Sequence, residues 1–301
     1  MLLRILFIWL TTSFALFPPL LAAGDKHLSV EILTTFDYPD AHSFTATAEI
    51  NNLGDVAGFY SDAIGLERGF VRYRNGSFSP PIIPPGTGDF TGANDINDER
   101  TVCGFFFDNA NQFIHSYFLS GTTFTQFDIA GANSTTVSTL NNAGAFAGSF
   151  DSNGQTQAFV DIAGEITPFS IPGASLTSVT SINRQTQTIG IYRLGTETIN
   201  HGFRRDEFGN LTFPIDFPGS AGPIGTILAG FNDSGWIVGS YSGRDTVQHG
   251  FILKGTDRLL SYDYPGALYT KFSGINNNEL ICGWYLDSVT GAVRGLIARL
   301  R

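Results

Sequence analysis

Cysteine is nearly absent from this chain. Cys103 and Cys282 are the only two in 301 residues. Positive charge is scarce as well: 17 Lys and Arg stand against 27 Asp and Glu, for a net charge of −10, and no basic run occurs past the first residues. Nucleic acid and anionic membrane surfaces, which select clustered Lys and Arg, are thereby set aside as partners. A helical hydrophobic period is missing throughout the body of the chain. So are a nucleophile elbow, a phosphate-binding glycine loop and a His-Glu-x-x-His zinc motif, and no reaction is legible from a motif. Nor is any apolar run long enough to cross a bilayer. Ile5 to Leu10 and Phe14 to Phe17 follow Arg4, are broken by Pro18-Pro19, and lead to the small residues Ala22-Ala23-Gly24. This arrangement reads as a secretory signal peptide over residues 1–24. The expectation is an exported domain over 25–301, secreted or periplasmic, with no membrane insertion after cleavage.

Glycine and phenylalanine, by contrast, are abundant, at 35 and 27 residues. They fall into a pattern that returns six times. An Asn is followed seven residues later by Gly and two further on by an aromatic: Asn51/Gly58/Tyr60, Asn97/Gly104/Phe106, Asn141/Gly148/Phe150, Asn183/Gly190/Tyr192, Asn232/Gly239/Tyr241 and Asn276/Gly283/Tyr285. Repeats of this length mark solenoids, propellers or arrays. Each copy holds four short strand-like runs separated by Asn/Gly/Asp turns, the composition of antiparallel sheet. The fourth run carries a tag, as in Phe36-Asp37-Tyr38-Pro39, Phe127-Asp128-Ile129 and Tyr262-Asp263-Tyr264-Pro265, and its prolines place it at a sheet edge. In copy one this run is replaced by Pro80-Pro81-Ile82-Ile83-Pro84-Pro85. The chain starts with one fourth-type run, Val30 to Pro39, and stops after a third-type run, Arg294 to Leu300. The predicted fold is all-β: a single six-bladed β-propeller of four-stranded blades, in which the N-terminal strand completes the last blade. Cys103 and Cys282, each just before a signature Gly in copies two and six, are then too far apart to bridge and are expected as buried thiols.

Taken together, Ile-Asn-Asn, Gly-x-Tyr, His-Gly-Phe and Phe-Asp-Tyr-Pro-Gly-Ala resemble the exported bacterial repeat proteins called the HAF family, after a His-Ala-Phe triplet. Here the triplet takes the forms His201-Gly202-Phe203, His249-Gly250-Phe251 and Gln157-Ala158-Phe159, with departures at Arg68-Gly69-Phe70, His115-Ser116-Tyr117 and Arg294-Gly295-Leu296. The resemblance implies an extracytoplasmic bacterial protein of propeller type. It implies no activity and no catalytic residues.

Residues present in every copy serve the fold, so candidates for function are those that break the repeat. The triplet position accepts His, Arg or Gln, which asks for a hydrogen-bond donor and not for a metal ligand. The loops entering each copy gather at one mouth of the expected channel and bring His42, Asp89, Asn133 and Tyr269 to it, a set able to bind a ligand. Asp62, Asp108, Asp151 and Asp287 follow the second strands on the same face, with Asp245 near the corresponding place. They are calcium candidates, against the plainer reading that Asp caps a turn. The function expected is a non-enzymatic, monomeric binding or scaffold module for a glycan, peptide or cell-envelope component. The alternative is a secreted hydrolase or lyase using acidic residues at the channel mouth.

Overall fold

The computed structural model describes residues 28–87, 90–255 and 258–301. The expected signal peptide and Asp89 lie outside the described residues. Among these residues every regular element is a strand, and the 23 strands form five sheets. Copy three shows the plan: Ser134–Leu140, Phe146–Ser152, Gln155–Ile162 and Glu165–Phe169 pair in order as an antiparallel meander. Copies two and five each make their own four-stranded sheet, and copies three and four are merged by one parallel contact, Thr156 to Leu176. In copy six the fourth place is taken by Val30–Phe36, which pairs antiparallel with Val293–Leu300. Copy one keeps only three strands. Proline lacks the N–H that an outer strand needs. What survives of that strand is Ser79 N–H to Val71 O and Ile82 N–H to Gly69 O, both 2.8 Å.

The core sits between neighbouring copies. Ala57 and Val71 of copy one meet Ile96, Val102 and Tyr117 of copy two, and Val238 and Ile252 of copy five meet Ile281 and Leu296 of copy six. The last copy also meets the first, where Ile50 and Val56 join Cys282 and Ile297 in one apolar cluster. Cys103 and Cys282 are free and fully buried, as small hydrophobes beside their glycines.

Every member of the repeat signature has a structural task. The inner strands carry a β-bulge at one equivalent place in all six copies, between Thr47/Glu49, Ala93/Asp95, Val137/Thr139, Val179/Ser181, Leu228/Gly230 and Phe272/Gly274. The bulge drives an inner-strand carbonyl onto the neighbouring strand, where only glycine leaves room. A Cβ on Gly58, Gly104, Gly148, Gly190, Gly239 or Gly283 would overlap the carbonyl oxygen of Ala46, Gly92, Thr136, Ser178, Ile227 or Lys271. In three copies the aromatic two residues on stacks under the tag of the preceding copy: Tyr60 on Tyr38 and Tyr285 on Tyr264 at 3.9 Å, Tyr241 on Phe217 at 4.4 Å.

A threonine six residues before each Asn (45, 91, 135, 177, 226 and 270) is buried in every copy. In five copies its Oγ1 accepts the tag's N–H, as from Tyr264 to Thr270 at 2.8 Å. In copy one's proline run the bond reverses, and Thr91 donates to Ile82 O.

The Asn itself holds its turn and reaches the next copy. Asn276 Oδ1 accepts from Asn278 and Leu280 N–H, while its Nδ2 donates to Asn51 O at 2.8 Å, joining copy six to copy one. Asn183 instead spends its amide on Gln187 within its own copy. Replacing Asn276 with alanine strands several buried backbone groups and is expected to cost about 2–4 kcal/mol. Asn183→Ala should cost distinctly less. Urea titration of the two variants is the check, and equal losses would deny Asn276 its inter-copy role.

Candidate binding site

Two ends of the ring of inner strands have opposite character. At the end bearing the first-to-second-strand turns lies a small depression of about 80 Å³. Its rim is the residue after each anchor: Asn52, Asp98, Asn142, Arg184, Asp233 and Asn277. These residues form a chain of hydrogen bonds. Asn52 N–H donates to Asp98, Asp98 N–H to Asn142, Arg184 N–H to Asp233, Asp233 N–H to Asn277, and Asn277 N–H to Asn52, at 2.8–2.9 Å. The one missing link, from Asn142 to Arg184, falls where the side chain offers no acceptor.

Of the residues two before each anchor, Glu49, Asp95 and Ser181 line the depression, while the other copies have Thr139, Gly230 and Gly274 at that place. Asp95 accepts from Thr139 Oγ1 at 2.8 Å, Leu140 N–H at 2.9 Å and Ile96 N–H at 2.6 Å. Glu49 lies in the space that a Cβ on Gly274 would fill, within hydrogen-bonding reach of Ser181 in the fourth copy. Solvent touches Glu49 through the depression while protein surrounds it elsewhere. Burial raises both carboxyls, Asp95 to about 6 and Glu49 well above the usual carboxylate range, with Asp95 adding to the Glu49 rise. Most polar groups of this end already serve one another. It fastens the inner strands together and leaves little for a ligand.

At the opposite end the acids named from the sequence serve their own turns. Asp62 Oδ1 accepts from Ile64 and Leu66 N–H, Asp108 Oδ1 from Ala110 N–H, and Asp287 Oδ1 from Val289 and Thr290 N–H, all within 3.0 Å. Asp151 accepts from Thr156 Oγ1 at 2.7 Å. Among the described residues no three or more His, Cys, Asp or Glu side chains group as a metal-binding set. His42 and Asn133 are exposed, their backbone N–H groups tied to Ser61 O and Asp151 O. No hydrogen bond or ring contact among the described residues joins His42, Asn133 and Tyr269 to one another.

The histidines of the triplet meet the tag's aspartate. His115 Nδ1 lies 3.0 Å from Asp128, His201 Nδ1 2.7 Å from Asp216 and His249 Nδ1 2.8 Å from Asp263, and Arg294 makes the same contact with Asp37 at 2.8 Å. Copy three has Gln157 opposite Ser170, so donor and acceptor change together. Burial opposes the charged form of His249, but Asp263 and Asp245 outweigh it and the pKa is raised. These pairs hold the outer strand to the third.

Tyr269 belongs to a different constellation. It precedes Lys271 by two on the inner strand Ala267–Ile275, and Lys271 stands directly opposite Trp284 on Leu280–Asp287. The Lys271 ammonium lies 4.5 Å from the Trp284 ring centroid and 5.9 Å from that of Tyr269. Tyr269 meets Trp284 edge-on at 5.7 Å, and Phe44 of copy one approaches Trp284 at 6.4 Å and Phe59 at 5.8 Å. Copy two repeats the theme with Phe90 and Phe105, 5.7 Å apart. All of these rings keep some exposure. The equivalent cross-strand pair is Ala46/Phe59 in copy one and Gly92/Phe105 in copy two, but Thr136/Ser149 in copy three. One side of the inner ring is thus aromatic and the other hydroxylic. Lys271 makes no ion pair among the described residues, and burial lowers its pKa. The half-buried ammonium rests on aromatic faces, an arrangement with room for an anion or hydroxyl as a further partner.

Neither a protein-family model nor a curated protein matches this sequence. Solved structures do match. The Aleuria aurantia lectin, as a mutant in complex with Fucα1-6GlcNAc, superposes with a TM-score of 0.58 at 7% identity, over 87% of this chain and 96% of the lectin. SapL1 lectin in complex with α-methyl fucoside gives 0.53 at 11% identity, over 85% and 93%. TolB from Acinetobacter baumannii gives 0.55 at 10% identity; the match covers 82% of this chain but 65% of TolB, short of two thirds of its length. Identities this low speak of the fold alone, and these structures are β-propellers. The chain has a β-propeller fold. Among its described residues no helix is long and apolar enough to cross a membrane.

Proposed function

We propose that this protein is an exported six-bladed propeller, closed by its N-terminal strand in the last blade, that binds a saccharide at the aromatic side of its inner ring. The observation that carries the reading is the cluster of Tyr269, Lys271, Trp284 and Phe44. Sugar rings present apolar faces that lie on aromatic side chains and hydroxyls that need polar partners, and a concave site with both is the ordinary form of a ligand pocket. Two of the propellers it resembles were solved with fucosides bound, which supports a glycan over a peptide or envelope protein as the ligand. The apolar leader and the resemblance to exported repeat proteins support an extracytoplasmic site of action.

Screening the protein against immobilised neutral and acidic glycans tests the reading. Binding is expected, and Trp284→Ala should weaken it by at least about tenfold, a loss of roughly 1.4 kcal/mol, with the fold intact by circular dichroism. A panel in which no saccharide binds, or one in which Trp284→Ala binds as well as the parent, would remove this function.

A further inference from the structure

We infer that the saccharide carries a carboxylate, as a uronic acid does, and that Lys271 is the residue that selects it. This rests on the glycan reading and names the class of sugar within it.

Two observations meet at Lys271. First, the position is special to copy six: the cross-strand pair that holds Lys271 and Trp284 holds Ala46/Phe59, Gly92/Phe105, Thr136/Ser149, Ser178/Ile191 and Ile227/Ser240 in the other copies. No need of the fold calls for an amine there. Second, Lys271 is the one Lys or Arg on an inner strand among the described residues, and it makes no ion pair there: its ammonium has the faces of Trp284 and Tyr269. A partly desolvated ammonium resting on π-faces alone has traded water for a weaker partner, and an incoming anion restores what it lost.

The geometry also says how selection and stacking are coupled. Lys271 now covers the Trp284 ring at 4.5 Å. Its four-carbon stem is flexible, so a carboxylate arriving beside Tyr269 draws the ammonium off the indole and leaves that face to the sugar. A neutral sugar has no means of moving it. Acid recognition and access to the aromatic platform are then one event, and Trp284 reports it directly because the charge over its ring departs.

The decisive comparison uses acidic polysaccharides beside their own methyl esters: polygalacturonate, alginate and hyaluronate, each in free-acid and fully esterified form. Esterification removes the charge and leaves the ring. The free acid of at least one polymer is expected to bind and to change Trp284 fluorescence, with its ester weaker by at least about tenfold, as befits one charge-assisted bond. Lys271→Met should bring acid and ester to the same weak affinity, and Lys271→Arg should keep the preference. Equal binding of acid and ester by the parent, or a preference that survives Lys271→Met, overturns the inference while leaving a neutral-glycan function standing. Failure of every sugar, acidic, esterified or neutral, overturns the glycan reading itself. A Lys271→Met variant with an altered melting temperature is replaced by Lys271→Gln, which keeps a polar end and drops the charge.

Discussion

Replacing Gly148 with alanine is expected to unfold the protein under conditions where the parent is fully native. The added Cβ would overlap the carbonyl oxygen of Thr136 and lie 2.9 Å from the carbonyl carbon and 3.0 Å from Val137 Cα. All three are backbone atoms of the adjacent strand, and they cannot swing aside as a side-chain tip can. Relief requires parting the two strands at the bulge, breaking ladder bonds and shifting the inner strand that meets its neighbours. Overpacking a rigid core costs about 1–3 kcal/mol and occasionally more; a clash with backbone in the innermost strand belongs at or beyond the top of that range. Gly144 in the preceding turn makes the control. Its φ is +84° and nothing lies within 4 Å of its Cβ position, so alanine there meets only the left-handed penalty, about 1 kcal/mol. Denaturant midpoints should therefore fall far more for Gly148→Ala than for Gly144→Ala. The reverse order would mean that the signature glycines are tolerated by habit of sequence and not demanded by the bulge.

The architecture was legible in the sequence because its devices are residue types with few substitutes. Only glycine fits beneath the bulge, Asn serves the turn with both amide ends, and proline cannot pair at Pro80-Pro81. Each therefore recurs, or fails, in plain view. The threonines at 45, 91, 135, 177, 226 and 270 recur just as faithfully and were not singled out, since threonine is ordinary in any strand and its use shows only once the tag's N–H is seen above it.

The binding cluster was hidden for a different reason. Tyr269 was named for its place in a loop edge, but Lys271 and Trp284 are joined by register, and a one-residue slip would have sent them to opposite faces. Aligning the copies on their anchors exposes the pair, because the residue after the signature glycine reads Phe59, Phe105, Ser149, Ile191, Ser240 and Trp284. Glu49 and Asp95 carry no turn signal, because they lie inside the inner strands, against Gly274 and Thr139. Of the loop residues, His42 and Asn133 show no contact that assigns them a task, and Asp89 lies outside the described residues.

Those two buried carboxyls make stability depend on pH in the sense opposite to ordinary acid denaturation. Burial raises both, Asp95 from 3.8 to about 6 and Glu49 well above its usual range. Below the unfolded-state values both states hold their protons and no linkage exists. As pH rises past them the unfolded chain releases protons that the folded chain keeps, so unfolding gains and stability falls. The fall ends once the folded groups ionise in turn. For Asp95 the window runs from about 4 to 6, and its displacement corresponds to something on the order of 3 kcal/mol.

Surface carboxylates oppose the trend, since Asp206, Asp245 and Asp287 have lowered values and favour the fold as pH rises. The buried term is isolated by Glu49→Gln, which keeps the shape of the side chain across the floor and removes the charge. Its melting temperature should exceed the parent's at about pH 8, and the difference should shrink as pH is lowered towards about 4. A difference that stays constant across that range would place the Glu49 carboxyl in solvent and not in the closed floor. Gly274 supplies the complementary variant, because a methyl group there occupies the space that Glu49 fills. Gly274→Ala should destabilise the parent strongly and should not be rescued by Glu49→Gln, since the overlap is with the side chain's volume and not its charge. Glu49→Ala is expected to relieve it only in part, because it removes the carboxylate overlap but leaves the Glu49 Cα 2.9 Å from the added methyl group.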